Sequence, residues 1–160
     1  MKAIEVMLKD PSIGPMIQCI DLSHNAGLED AELAYLTQML INLNKLNNGT
    51  LVTLKHVNLS QICASTSALA NFIKGLPQMV RLNSLDLSGN IIAFICADTL
   101  VNALKTIEGM PQTHGRHFSI IPLSPSQLSS SEDESHLTKL NLSGCKLDEL
   151  TAYQLCLGVL

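Results

Sequence analysis

One pattern constrains this chain more than any other. In RLNSLDLSGN (Arg81–Asn90) apolar residues fall at Leu82, Leu85 and Leu87, and a single amide, Asn90, closes the run. Numbering Leu82 as the first place, the pattern occupies places one, four, six and nine. It returns in MIQCIDLSHN as Ile17, Ile20, Leu22 and Asn25, and in TLKHVNLSQI as Leu54, Val57, Leu59 and Ile62. It returns again in HLTKLNLSGCKL as Leu137, Leu140, Leu142 and Cys145. A weaker copy, HFSIIPLSPSQL, offers Phe118, Ile121, Leu123 and Ser126. The seventh place is serine in all five (Ser23, Ser60, Ser88, Ser124, Ser143), which argues that the weak copy is genuine. The first places stand 37, 28, 36 and 19 residues apart.

Side chains alternate along a strand, so places four and six share one face of a short extended segment. Place one turns inward just before it and place nine just after. A narrow coil cannot bury four such residues alone, but the next coil stacked on it can, and the strands then pair in parallel. Beyond the strand the backbone bends away from its ladder, and a buried Asn at place nine can bond the groups left over. Cys145 can donate weakly from that place. Ile62 cannot and Ser126 is short, so the second and fourth copies are expected to be irregular.

Helical spacing follows the strong copies. EDAELAYLTQML aligns Leu33, Leu36 and Leu40 behind acids suited to a helix start. STSALANFIKG offers Ser65 or Ser67 as cap, Leu69, Phe72 and Ile73 as stripe, and Gly75 as stop. ADTLVNALKTIEG places Asp98 near a start, Leu100, Leu104 and Ile107 on one face, and Gly109 at the end; DELTAYQLCL repeats the theme. The expected architecture is an α/β solenoid over residues 1–160, a single domain of about five irregular coils. Short parallel strands form its concave face and helices its convex face. Residues 1–15 read as an N-terminal cap, with Ile4, Met7 and Leu8 inward on a helix stopped before Pro11. NKLNNGT (Asn44–Thr50) and MPQTHGRH (Met110–His117) read as loop insertions, and SPSQLSSSEDESH (Ser124–His136) as an irregular solvated loop.

RLNSLDLSGN and HLTKLNLSGCKL resemble the strand segment of leucine-rich repeats. The 28-residue spacing and helical outer face are similar to the ribonuclease-inhibitor-like class, over roughly Met16 to Leu160. The resemblance implies a curved solenoid used mainly for protein–protein binding. The irregular, cysteine-containing style also resembles effectors that intracellular bacterial pathogens inject into host cells.

Composition narrows the function classes. Apolar residues make up 46% and charged ones 15%, which favours an ordered core; aromatics are only 3%, so Leu, Ile, Val and Ala must fill it. The net charge of −4 and the scatter of the ten basic residues disfavour nucleic acid. The longest apolar run, IIAFICA (Ile91–Ala97), is too short to span a bilayer. Five cysteines, with no CxxC spacing, read as reduced and mostly buried, in a reducing compartment: the cytoplasm, or a host cell after delivery.

The outward strand places carry the candidate partner-binding residues Asp21, His24, Lys55, His56, Asn58, Asp86, Lys139 and Asn141. A solvated sheet and a docking surface explain them about equally. Five strands span on the order of 300 Å², well below the ~800 Å² per side of a standard interface, so inserted loops or self-association must add area. The apolar C-terminal residues Leu155, Leu157, Val159 and Leu160 suggest contact with a second copy. No cofactor or metal is expected: His114 and His117 lack neighbouring acids or cysteines, and a thiol–imidazole pair of His56 with Cys19 or Cys63 lacks an orienting group. SSSEDES (Ser129–Ser135) reads as a solvated loop rather than a kinase target. The expected function is therefore a non-catalytic module that binds another protein. The alternative is a sensor or inhibitor segment of a larger multidomain protein.

Overall fold

The structure, a computed structural model, describes residues 1–46, 54–79, 81–108 and 137–159. Within them the chain is an α/β structure. It runs α1 (Lys2–Lys9), β1 (Cys19–Asp21), α2 (Asp30–Leu46), β2 (His56–Asn58), α3 (Thr66–Gly75), β3 (Ser84–Asp86), α4 (Phe94–Glu108), β4 (Lys139–Asn141) and α5 (Glu149–Val159). The four strands form one parallel sheet in the order β1-β2-β3-β4. The register aligns three rows: Cys19–His56–Ser84–Lys139, Ile20–Val57–Leu85–Leu140, and Asp21–Asn58–Asp86–Asn141.

The middle row points into the core, where Ile20, Val57, Leu85 and Leu140 are buried. Opposite them lie the helical stripes expected from spacing: Leu33, Leu36 and Leu40 on α2, Leu69, Phe72 and Ile73 on α3, and Leu100, Leu104 and Ile107 on α4. Each helix packs on the next, from α2 through α5. Burial is graded along the sheet. Places one, four, six and nine on β2 and β3 are all buried, whereas Ile17, Leu22, Leu142 and Cys145 on the flanking segments are half-buried. A segment with a neighbour on each side is covered twice and an outer one only once.

Place nine works as its chemistry requires. The Asn90 amide donates to the carbonyls of Leu59 (2.7 Å) and Leu87 (2.9 Å) and accepts from the N–H of Ile62 (3.1 Å). Cys145 donates its S–H to the Leu87 carbonyl at 3.2 Å. Asn25 differs: it is exposed, and among the described residues no strand lies beyond β1 to need its amide. The second copy, expected to be irregular, keeps a regular strand, and just past it Cys63 has a φ of +56°.

The fourth copy, Phe118–Ser126, lies outside the described residues. Among the described residues β3 pairs directly with β4, so the sheet there has four strands where five were expected.

Smaller expectations also change. α1 ends at Lys9, ahead of Pro11, with Leu8 buried and Ile4 against the core, but Met7 is exposed. Ser65 is the α3 cap, accepting from the Ala68 N–H at 3.2 Å. Gly75 is no left-handed stop: its φ is −78°, and the chain continues into a 3₁₀ turn, Leu76–Gln78. It is glycine for space, since a Cβ would stand 3.1 Å from Thr37 Cγ2 and 3.2 Å from Ile41 Cδ1. α4 begins at Phe94, four residues before Asp98, as soon as the chain leaves the buried Ile92. The cysteines are unpaired but not mostly buried: Cys19, Cys63 and Cys156 are exposed, on an outward strand place, a loop and α5. Leu155 packs on this chain's own core, while the side chains of Leu157, Val159 and Leu160 lie outside the described residues. So do all three loops assigned from sequence, apart from the Asn44–Leu46 backbone at the end of α2, and with them His114, His117 and the SSSEDES stretch.

Candidate functional site

The outward face of the sheet is built from two rows. The second holds Asp21, Asn58, Asp86 and Asn141, one per strand. Each side-chain Oδ1 accepts the backbone N–H two residues on: Ser23 (2.9 Å), Ser60 (3.0 Å), Ser88 (2.8 Å) and Ser143 (3.0 Å). These are Asx turns, which bend the chain out of the strand at the same point each time. The remaining atoms pair across strands, Asn58 Nδ2 donating to Asp21 at 3.2 Å and Asn141 Nδ2 to Asp86 at 2.8 Å. Hydrogen bonds from Ser23, through hydroxyl and N–H, together with Asn58 and the charge of His24, hold the Asp21 carboxyl below its usual range. Four of the eight candidate residues are thus engaged in shaping the strand ends.

The next places explain the glycines. At place eight, φ is positive in every described copy: His24 (+57°), Gln61 (+53°), Gly89 (+69°) and Gly144 (+63°). The sequence signal was SG in the third and last copies, hidden by SH and SQ in the others. A Cβ on Gly89 would stand 2.5 Å from Gln61 Cγ, whereas one on Gly144 meets nothing nearer than 3.9 Å. Gly144→Ala is therefore expected to cost about 1 kcal/mol, the left-handed penalty alone, and Gly89→Ala about 2 kcal/mol. Gln61→Ala should remove the difference between them in urea unfolding; equal costs in the native background would contradict the packing argument.

The first row differs in character. Here Cys19, His56, Ser84 and Lys139 sit side by side on consecutive strands, with Lys55 just before His56. Ser84 is buried between the longer His56 and Lys139, and Asn141 and Ser60 are buried as well. His24 lies apart, exposed on the turn after β1. Burial, then the charges of Lys139 and Lys55, push the His56 imidazole below its ordinary value, and its Nδ1 is buried without a partner. Asn83 Oδ1, beside Ser84 in the chain, is likewise buried and unpartnered.

These environments have chemical consequences. Burial and Asp21 push the Cys19 thiol up, opposite to what a reactive thiolate needs, although Cys19 and His56 are neighbours in register. Cys63 lies in the loop after β2, away from that row. The fold favours neutral His56, while the unfolded chain protonates near the ordinary value of 6.5. The stability that follows is complete above about 6.5 and falls as pH drops through that value toward the folded one. His56→Gln is expected to flatten this limb; urea midpoints for both chains from about pH 5 to 7.5 measure it, and parallel curves would refute it.

No protein-family model matches this chain, and no curated protein matches it. Among the described residues, no group of three or more His, Cys, Asp or Glu is placed to hold a metal ion, and no helix is long and apolar enough to cross a membrane.

Proposed function

We propose that the chain is an irregular leucine-rich repeat solenoid of the ribonuclease-inhibitor-like class, acting as a non-catalytic module that binds another protein through the outward face of its sheet. The observation that supports this most is the in-register stacking of four parallel strands, each leading to a helix, with Asn90 bonding adjacent segments. Such stacking presents fixed rows of side chains, and Asx turns hold their spacing without help from a ligand. Four strands of three residues cover only ~150 Å², so the face grips a small element of its partner, and other surfaces add the rest.

A second reading, a sensor or inhibitor segment within a larger protein, is favoured by the outer side of β4. Leu142 and Cys145 are half-buried there, and Leu147, Leu150 and Tyr153 are exposed, as expected of a layer on which another repeat or a second copy stacks. The test of the first reading is to fill the face. Ser84→Tyr places a ring between His56 and Lys139 without touching the core row. Loss of a protein captured by the native chain, at unchanged circular dichroism, supports the reading; undiminished capture moves the site elsewhere.

A further inference from the structure

The two edges of the sheet end differently, and the difference selects a partner for one of them. Along the sheet each segment offers the next the same backbone groups. The carbonyls at place two (Gln18, Lys55 and Asn83) each accept two N–H groups from the following segment. At place six the N–H of Leu22 donates to Asn58, that of Leu59 to Asp86 and that of Leu87 to Asn141. At place eight His24 donates to Ser60, Gln61 to Ser88 and Gly89 to Ser143. The last copy carries the same groups on the Thr138 carbonyl and the Leu142 and Gly144 N–H, and among the described residues none of the three has a partner. β4 bonds β3 through Lys139 and Asn141, so alternation turns both the N–H and the carbonyl of Leu140 toward the open edge. Apolar side chains flank it. On α5, Thr151 and Leu155 turn to the core and Gln154 reaches Asp98 on α4, while Tyr153 stands on the opposite side, exposed together with Leu147 and Leu150. The β1 end is closed in its helical layer. There α1 has Leu8 buried and Met1 and Ile4 against the core, and Tyr35 of α2 donates to Glu5.

We propose that the β4 edge binds a second copy of this chain across a two-fold axis, β4 against β4, antiparallel and centred on Leu140. This takes up the layer that the second reading leaves open and does not depend on what the sheet face binds. An axis at Leu140 lets the two copies of that residue exchange both hydrogen bonds, as directly opposed residues of an antiparallel pair do. The same register brings the Leu142 N–H of each copy to the Thr138 carbonyl of the other. The edge is thus complementary to itself, the inward row continues from Leu140 to Leu140, and the two α5 helices come side by side. Head-to-tail stacking, the other way to satisfy the edge, would drive α5 into the layer that α1 already fills. Size sets the strength: a strand of three residues and a helix of 11 supply fewer than the roughly 20–30 residues a side of a standard interface. The pair is therefore reversible, and its symmetry closes it at two.

The experiment uses the full chain. Sedimentation from about 10 μM to about 1 mM should show a monomer–dimer equilibrium with no larger species. Over the same range the Leu140 and Leu142 amides should become slower to exchange with deuterium, and the Leu59 amide should not change. Leu150→Glu with Tyr153→Glu should weaken dimerisation at least tenfold at unchanged circular dichroism. Val6→Glu with Met16→Glu, exposed positions at the β1 end, should leave it unchanged. A monomer at every concentration, species beyond the dimer, loss of the dimer in the β1-end variant, or Leu140 and Leu142 amides indifferent to concentration would each overturn the proposal. Should the α5 variant fail to fold, those amides in the native chain decide. Ser84→Tyr separates the two proposals: it lies off the edge and should leave the dimer intact even where it abolishes capture of another protein.

Discussion

Asn90→Ala is expected to lower the unfolding free energy by about 3–4 kcal/mol, among the largest effects of any polar substitution in this chain. The side chain is 2% exposed and makes three bonds to backbone groups on two adjacent segments. Alanine leaves the Ile62 N–H and the Leu59 carbonyl without this partner in a dry interior, at about 1–3 kcal/mol per orphaned group. The Leu87 carbonyl loses less, since Cys145 also reaches it. A fall of about 10 °C in melting temperature follows for a chain of this size. Cys145→Ala, which removes one weak half-buried donor, should cost under about 1 kcal/mol. Thermal and urea unfolding of both variants decide the matter. Similar losses at the two sites would mean that place nine only fills space.

Leu85→Ala and Leu142→Ala are expected to differ severalfold, although both replace a leucine of the same motif. Leu85 is fully buried between flanking strands, and its loss leaves a cavity costing about 3–4 kcal/mol. Leu142 is half-buried on the outermost segment, where water and neighbouring side chains can relax into the space, so about 1 kcal/mol is expected. Denaturant midpoints at constant m-value measure both. Equal costs would show that the outer side of β4 is covered in solution. The same pair repeated over a range of protein concentrations would then tell whether a second copy covers it.

Sequence spacing carried much of the fold because one physical requirement repeats. Apolar places one, four and six must face one interior, and the helical stripes must close it; every stripe leucine assigned on α2, α3 and α4 is buried. Serine at place seven is common to all five copies, and in the four described ones its backbone N–H bonds the Asp or Asn at place five. The fourth copy keeps the serine and has Pro122 where the acceptor should be. The left-handed turn at place eight was written plainly only where glycine occupies it, and His24 and Gln61 concealed it.

The sequence alone thus determined a parallel strand–helix order and the set of inward side chains, because alternation and helical periodicity are local and repeat at short range. Tertiary structure alone decided which outward residues are spoken for. Hydrogen bonds between strands bind Asp21 to Asn58 and Asp86 to Asn141, residues 37 and 55 positions apart. Such partnerships depend on register between distant segments, which no local pattern encodes.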